Sequence, residues 1–128
     1  MSRQDRLLLD THVFLWWRSE PSRLTKEAQH RIASAELVFV SAVSAWEAAI
    51  KIGLGRLKLP DTLEAGVVAS GFEKLPVTFS HAEHVATLPP HHRDPFDRML
   101  VAQAQVEGLT LVTHDRALEG YAIEILWG

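Results

Sequence analysis

Residues 94–115 have the sequence DPFDRMLVAQAQVEGLTLVTHD, and the main evidence for the fold class lies in this stretch. Asp94 can cap a helix with proline at its first position and an acid in its first turn. Gly108 would end that helix after Glu107. The apolar run at 109–112 lacks polar alternation, which is typical of a strand buried on both faces of a parallel sheet. A helix that leads directly into a buried strand predicts an α/β protein.

Apolar runs and capping residues continue this pattern along the chain. Further strands are predicted at 7–9, 37–40 and 122–126, and a weaker one at 75–78, where Pro76 favours a sheet edge or a loop. Capping residues predict four more helices, from Thr25 to about Ala35, from Ser44 to Gly53 or Gly55, from Asp61 to about Gly71 and from Ser80 to Pro89. Strands that alternate with helices predict three layers, with a mainly parallel central sheet of four to five strands flanked by helices.

Length and composition narrow the class of protein further. The chain has 128 residues, enough for one domain, and its 47% hydrophobic and 23% charged residues are typical of a globular protein. Because cysteine is absent, disulfides, thiolate zinc sites and thiol nucleophiles are excluded. No apolar stretch approaches the roughly 18 residues that cross a bilayer, and no signal-peptide core is found. We therefore expect a cytoplasmic protein without a membrane partner.

Four acids are predicted to lie at one edge of the sheet. In open α/β sheets, ligands bind beyond the carboxyl ends of the strands. Asp10 directly follows the first strand, and Asp115 follows the fourth strand after two residues. Glu47 is predicted in the first turn of the helix after the second strand, and Asp97 in the first turn of the long helix. Their convergence indicates a functional site.

Each acid also has a structural alternative. Glu47 can be the capping-box partner of Ser44. Asp97 can be stabilised by the positive end of its helix dipole, and Asp115 can cap a short helix. Asp10 is the hardest to explain in this way, because a carboxylate beside a buried leucine run is costly to desolvate unless it is paired or bound to a cation. Four neighbouring carboxylates repel one another, and an oxygen-only site suits Mg²⁺ or Mn²⁺, ions that serve phosphate-ester chemistry.

Long pieces of the chain resemble a PIN domain, specifically its VapC-like toxin branch. They are LLLDTHVFLWW at 7–17, VSAVSAWEAAIKIGLGRLKLP at 40–60, HHRDPFDRMLVAQAQVEGLTLVTHDRAL at 91–118 and the terminal strand. The resemblance implies a single nuclease domain over 1–128 and a Mg²⁺-dependent ribonuclease, usually the toxin of a toxin–antitoxin pair. It also implies that the four acids bind the catalytic metal. Many relatives have Asn or Asp at the position of His114, which leaves the role of this residue open.

Several neighbours of the four acids are candidates for supporting roles. Thr11 and Thr113 can hydrogen-bond a site carboxylate, whereas Asp94 is favoured as a helix cap over a direct metal ligand. Positively charged residues that can hold RNA phosphates are Arg93, Arg98 and Arg116, with Lys51, Arg56 and Lys58 as an extension.

Histidines and tryptophans suggest two further kinds of contact. The histidines at 81, 84, 91 and 92 lack a recognised zinc-ligand spacing, so we expect surface or loop histidines. Adjacent Trp16 and Trp17 on a helix point in different directions, so they cannot easily share one core. We therefore expect at least one of them to lie at an interface, either in a homodimer or with a partner peptide, whereas stacking on bases is the less favoured alternative. Trp46 is the third notable aromatic residue.

Three functions remain for comparison. The first is an endoribonuclease with RNA, a cognate antitoxin and a second copy as partners, and the second is an inactive PIN-fold module that binds a partner. The third, a phosphoryl-accepting receiver domain, is weak because the last lysine, Lys74, precedes the long helix. The net charge of −3, from 13 basic and 16 acidic residues, argues against a simple basic nucleic-acid binder. Without the four site acids, however, the basic residues are in slight excess.

Overall fold

A single sheet of five parallel strands, in the order β3-β2-β1-β4-β5, organises the computed structural model, which describes residues 4–128. The strands are β1 (Arg6–Leu9), β2 (Leu37–Ser41), β3 (Glu73–Leu75), β4 (Thr110–Thr113) and β5 (Ile125–Trp127). The predicted α/β class and strand number are confirmed.

Helices cover both faces of this sheet. The α-helices are α1 (Thr11–Ser19), α2 (Lys26–Ser34), α3 (Ala42–Gly53), α4 (Leu63–Ala69), α5 (Phe79–His84) and α6 (Pro95–Glu107). Short 3₁₀ helices are found at Pro21–Arg23, Val85–Thr87 and Arg116–Leu118. Among residues 4–128, no helix is both long and apolar enough to cross a bilayer.

The sheet has a hydrophobic core on each of its two faces, and the leucines of β1 contribute to both. Leu7 and Leu9 pack into a cluster with residues of α1 to α4, whereas Leu8 packs into a second cluster with residues of α6. All three leucines are fully buried, and each such burial stabilises the fold by roughly 1.5–3 kcal/mol. Because both faces are covered, the unalternating leucine run is the expected sequence for this strand.

Helix α6 begins and ends as its sequence predicts. Asp94 Oδ1 accepts hydrogen bonds from the backbone N–H groups of Phe96 and Asp97, at 2.8 and 3.2 Å. Gly108 ends the helix in the left-handed region with φ of 66°, which a glycine adopts without steric cost. This geometry places Asp97 in the first turn and leads the chain directly into β4.

The predicted start of the helix after β2 is wrong. Ser41, not Ser44, caps α3, because its hydroxyl accepts from the backbone N–H of Val43. Ser44 is buried and accepts a hydrogen bond from Thr11 instead. Glu47 therefore lies in the second turn of α3, so it is neither a first-turn acid nor the capping partner of Ser44.

Other predicted boundaries also shift. Strand β3 ends before Pro76, because proline has no N–H for the ladder, so the strand predicted at 75–78 is wrong beyond Leu75. Helix α5 is capped by Thr78, with His81 closing the capping box, rather than by Ser80. Strand β5 starts only at Ile125, because the residues before it form turns after the 3₁₀ helix, but it lies at a sheet edge as predicted.

Candidate metal centre

A cleft of about 550 Å³ opens at the carboxyl ends of the central strands, and all four predicted acids line it. We call this site the acidic cleft and define it by Asp10, Glu47, Asp97 and Asp115. Asp10 follows β1, Glu47 lies on α3, Asp97 on α6, and Asp115 follows β4. The parallel topology thus brings together residues that are 105 positions apart at most.

Asp10 is the most rigidly held of these acids. Its side chain caps α1 by accepting from the backbone N–H of Val13 at 2.8 Å, and it accepts from the Thr113 hydroxyl at 2.6 Å. The residue is only 5% exposed, and desolvation raises its pKa despite these two hydrogen bonds. A cation nearby would offset this desolvation and favour the charged form of the carboxylate.

Asp97 and Asp115 converge on one imidazole ring. His92 Nε2 lies 2.9 Å from Asp97 Oδ2 and 3.2 Å from Asp115 Oδ2. Burial, together with the charge of Asp94, raises the pKa of Asp97 to about 6, although the hydrogen bond from His92 opposes this shift. Asp115 also caps the following 3₁₀ helix through the N–H of Ala117, at 2.9 Å, so its predicted capping role is confirmed.

Glu47 contributes the fourth carboxylate from the second turn of α3. It is buried, and its Oε2 lies 3.0 Å from the Lys51 ammonium one turn later. Lys51 also lines the acidic cleft, so it partly compensates the acid charge there.

The three predicted supporting residues have different roles. Thr113 donates its hydroxyl to Asp10, and this predicted hydrogen bond is confirmed. Thr11 donates to Ser44 Oγ at 2.8 Å instead of to a carboxylate, because it starts α1 on the side that faces α3. Asp94 caps α6, as expected, and its charge acts on Asp97.

The predicted phosphate contacts divide into two groups. Arg116 and Lys51 line the acidic cleft, and Arg116 stacks on the Trp127 ring at 3.9 Å. Arg98 was predicted to contact phosphate, but its guanidinium instead donates to the backbone carbonyls of Pro89 and Val85 and to the Tyr121 hydroxyl. These bonds hold the 85–89 segment against α6, and a contact of Arg98 with RNA phosphate stays a prediction.

Arg93 lines a different groove, together with Trp46 and Met99. Arg56 and Lys58 are exposed residues that follow α3. Their proposed contacts with RNA phosphates stay predictions.

The prediction that the histidines lie on the surface or in loops is wrong for His81. It also does not place His92 in the acidic cleft. His81 is fully buried, and its Nε2 lies 2.7 Å from Glu107 Oε2. His92 lies in the loop before α6, but within the acidic cleft. The one sequence signal for it is its position two residues before the cap of α6, because the start of α6 lies at the same edge of the sheet.

Aromatic and basic side chains form the rim of the acidic cleft. Trp16 packs edge-on against His114, with 5.2 Å between ring centroids, and the Arg23 guanidinium lies 4.5 Å from the Trp16 centroid. His12 lines the same side. The sequence predicts only that at least one of Trp16 and Trp17 lies at an interface, and it leaves the role of His114 open, so it does not predict this arrangement.

The residues present fit a hard divalent cation. Five carboxylates line one cleft, the four that define it and the helix cap Asp94, and burial raises the pKa of two of them, Asp10 and Asp97. A divalent cation relieves both the repulsion and the cost of desolvation, and Mg²⁺ and Mn²⁺ favour oxygen ligands of this kind.

Comparison with known proteins agrees with this geometry. The sequence profile of the PIN domain matches residues 7–124. The chain belongs to the PIN domain family. This PIN domain is 34% identical over 118 residues to Ribonuclease VapC22 of Mycobacterium tuberculosis, covering 90% of this chain and 91% of that protein.

Solved structures resemble the PIN domain in fold. VapBC2 from Rickettsia felis, bound to a DNA fragment from its promoter, has a TM-score of 0.69 at 12% identity, covering 94% of this chain and 96% of that one. FitAcB from Neisseria gonorrhoeae has a TM-score of 0.66 at 23% identity with the same coverage. At these identities the similarity extends to the fold alone.

Proposed function

We propose that this chain is a metal-dependent endoribonuclease, with residues 1–128 forming a single nuclease domain. The observation that carries the proposal is the convergence of four carboxylates on one cleft at the carboxyl edge of the sheet. The name of the mycobacterial relative, a ribonuclease, supports RNA as the substrate class. We infer that Asp10, Glu47, Asp97 and Asp115 hold Mg²⁺, with Mn²⁺ as a possible substitute.

The chain's own residues position this chemistry. A bound divalent ion would neutralise the carboxylates, polarise the phosphodiester and lower the pKa of water. Thr113 and the N–H of Val13 fix the orientation of the Asp10 carboxylate. Lys51 holds Glu47, and the backbone of α6 sets the direction of Asp97 from its first turn.

Basic groups beside the acidic cleft supply the contacts to RNA. Arg116 and Lys51 lie in its walls, where they can bind phosphates next to the scissile one. Arg116 is pre-oriented by its stacking on Trp127, which reduces the entropy that it loses on binding.

Cleavage of total cellular RNA tests the proposed function. We expect the purified chain to cut at defined positions with Mg²⁺ or Mn²⁺, and to leave linear phosphate ends, because water rather than the ribose 2′-hydroxyl attacks. Asp10→Asn and addition of EDTA should each abolish these cuts. Cyclic 2′,3′-phosphate ends, or full activity of Asp10→Asn, would reject the assignment.

We further propose that the chain is the toxin of a toxin–antitoxin pair and forms a homodimer. Solved relatives include a toxin–antitoxin complex from Klebsiella pneumoniae, with a TM-score of 0.64. Large apolar side chains are exposed, including Trp46 at 59% and Phe79 at 87%, which supports binding of a protein partner. Expression of the wild type should arrest growth, co-expression of the neighbouring gene should restore it, and light scattering should give twice the 14.3 kDa chain mass.

The same exposed side chains are also consistent with an alternative function, that of an inactive PIN module that binds a partner. The complete set of four acids counts against this alternative, because binding alone does not need clustered carboxylates with raised pKa values. This alternative would be supported if no RNA in a broad transcript pool is cut with Mg²⁺ or Mn²⁺ while a protein partner still binds.

A further inference from the structure

His92 is a histidine of the acidic cleft whose Nε2 atom contacts two of the acids, Asp97 and Asp115. Its Nε2 atom, Asp97 and Asp115 each offer one ligand atom, and these three atoms lie within 4.8 Å of one another. The ring is half-buried and points into the acidic cleft, beside the two acids.

The two distances from His92 Nε2 to the carboxylates match the spacing of neighbouring ligands on one ion. Adjacent ligands of an octahedral ion with bonds of about 2.1 Å are separated by about 3.0 Å. His92 Nε2 lies 2.9 Å from Asp97 Oδ2 and 3.2 Å from Asp115 Oδ2. A single ion can therefore contact all three with small side-chain adjustments.

The loop that carries His92 is anchored from outside the acidic cleft. The backbone N–H of His92 donates to the Tyr121 hydroxyl at 3.0 Å, and Arg98 donates to the same hydroxyl at 3.1 Å. Arg98 also binds the carbonyl of Pro89 at 2.9 Å. Since these bonds involve the backbone or other residues, the loop stays anchored when a bound ion replaces the contacts that Nε2 makes with Asp97 and Asp115.

We propose that His92 is a metal ligand, binding through Nε2 the same ion as Asp97 and Asp115, and that its nitrogen biases this position towards a transition-metal ion over Mg²⁺. This inference rests on the metal centre of the proposed function. Imidazole suits transition metals, whereas Mg²⁺ favours oxygen and retains water. Binding uses the neutral tautomer with the proton on Nδ1, which leaves the Nε2 lone pair free.

Pulsed electron paramagnetic resonance of Mn²⁺ bound to the full chain tests this ligand directly. The wild type should show ¹⁴N coupling from a bound imidazole, and His92→Ala should lose it. His12→Ala is the matched control, because His12 lines the same cleft and should leave the coupling intact. The wild-type spectrum needs no variant, so it stays informative if His92→Ala folds poorly.

Calorimetric titration of Mn²⁺ and of Mg²⁺ measures how strongly His92 favours a transition-metal ion over Mg²⁺. His92→Ala should weaken Mn²⁺ binding by about tenfold or more, and Mg²⁺ binding by a smaller factor. Mn²⁺ bound without ¹⁴N coupling, or bound equally well or more tightly by His92→Ala, would overturn the role of His92 while leaving the proposed nuclease intact. If neither ion binds the wild type, both the inference and the proposed metal centre are overturned.

Discussion

At the residue scale, burial and charge set the properties of the acids in the acidic cleft. Asp10 and Asp97 both have a raised pKa, with desolvation as the largest cause. The side chain of Asp115 is 43% exposed and lies at the cleft mouth. Ionisation of these buried acids therefore lowers the free energy of unfolding of the metal-free protein. We expect the same charge to make metal binding favourable.

Removing the charge of Asp97 should stabilise the metal-free protein. Its pKa of about 6, against 3.8 for an ordinary Asp, means that stability is lost as pH rises from about 4 through 6. We expect Asp97→Asn to raise the free energy of unfolding by about 1–2 kcal/mol at pH 7.5, measured by urea denaturation with EDTA. Asp61→Asn, at an exposed position, should change it little. A less stable Asp97→Asn protein would contradict this account.

Metal affinity should fall on acidification for the same reason. A cation competes with the proton on Asp97, so binding should be nearly constant above pH 7 and weaken as pH falls through about 6. Calorimetric titration of Mn²⁺ between pH 5 and 8 measures this dependence. If binding displaces one proton, the affinity can fall by at most about tenfold per pH unit. Affinity that is unchanged at pH 5 would show that Asp97 is not a ligand.

Thr113 should matter through the carboxylate that it orients. Thr113→Val removes the 2.6 Å hydrogen bond to Asp10 and the 3.1 Å bond that the hydroxyl accepts from the backbone N–H of Asp115, and it keeps the side-chain shape. We expect metal affinity to fall by about 10–100-fold, as for other residues that orient ligands. Thr110→Val on the same strand, whose hydroxyl contacts Glu124 instead, is the control and should bind metal normally. Equal affinities for the two variants would argue against the positioning role.

At the scale of elements, the contact between α5 and α6 depends on a buried histidine. The backbone N–H of Thr78 donates to His81 Nδ1, so the ring carries its proton on Nε2 and donates it to Glu107. Gln103 of α6 lies 3.3 Å from the same Nδ1. His81 thus caps its own helix and ties it to α6, which explains why a histidine is buried there.

Truncation of His81 should therefore destabilise the fold. His81→Ala leaves a cavity and an unpaired N–H at Thr78, and we expect a loss of about 2–4 kcal/mol in the free energy of unfolding. His84→Ala, which removes only a half-buried contact with Gln105, should cost less than about 1 kcal/mol. Urea denaturation of both variants is the measurement. Similar losses for the two variants would contradict the role given to His81.

The capping patterns show which elements can be predicted from sequence. Both ends of α6 could be predicted, because Asp94 and Pro95 at its start and Gly108 at its end act locally, within one turn of the helix ends. The start of α3 could not, because Ser41 and Ser44 are both acceptable caps. The packing of Ser44 against Thr11, 33 residues earlier, is a tertiary contact that the local pattern does not contain.

At the scale of the whole molecule, topology explains why the four acids could be found from sequence. Each acid follows a predicted strand or lies on a helix next to one, and parallel strands place these positions at one edge. His92 follows no strand and lies on no helix, so this rule does not select it, and its loop is held by a tertiary contact with Tyr121 that the local pattern does not contain. The carbonyl partners of Arg98 could not be found for the same reason, since a flanking charge in sequence does not reveal them.

The rate of cleavage of one mapped RNA, measured with and without metal, tests the central claim most directly. We predict cleavage by the wild type with Mg²⁺ or Mn²⁺, complete loss with EDTA, recovery when metal is added back, and loss of at least about a thousandfold for Asp97→Asn. Circular dichroism should show that this variant keeps its fold. Undiminished cleavage in EDTA, or by folded Asp97→Asn, would contradict the assignment of the acidic cleft as a metal-dependent nuclease centre.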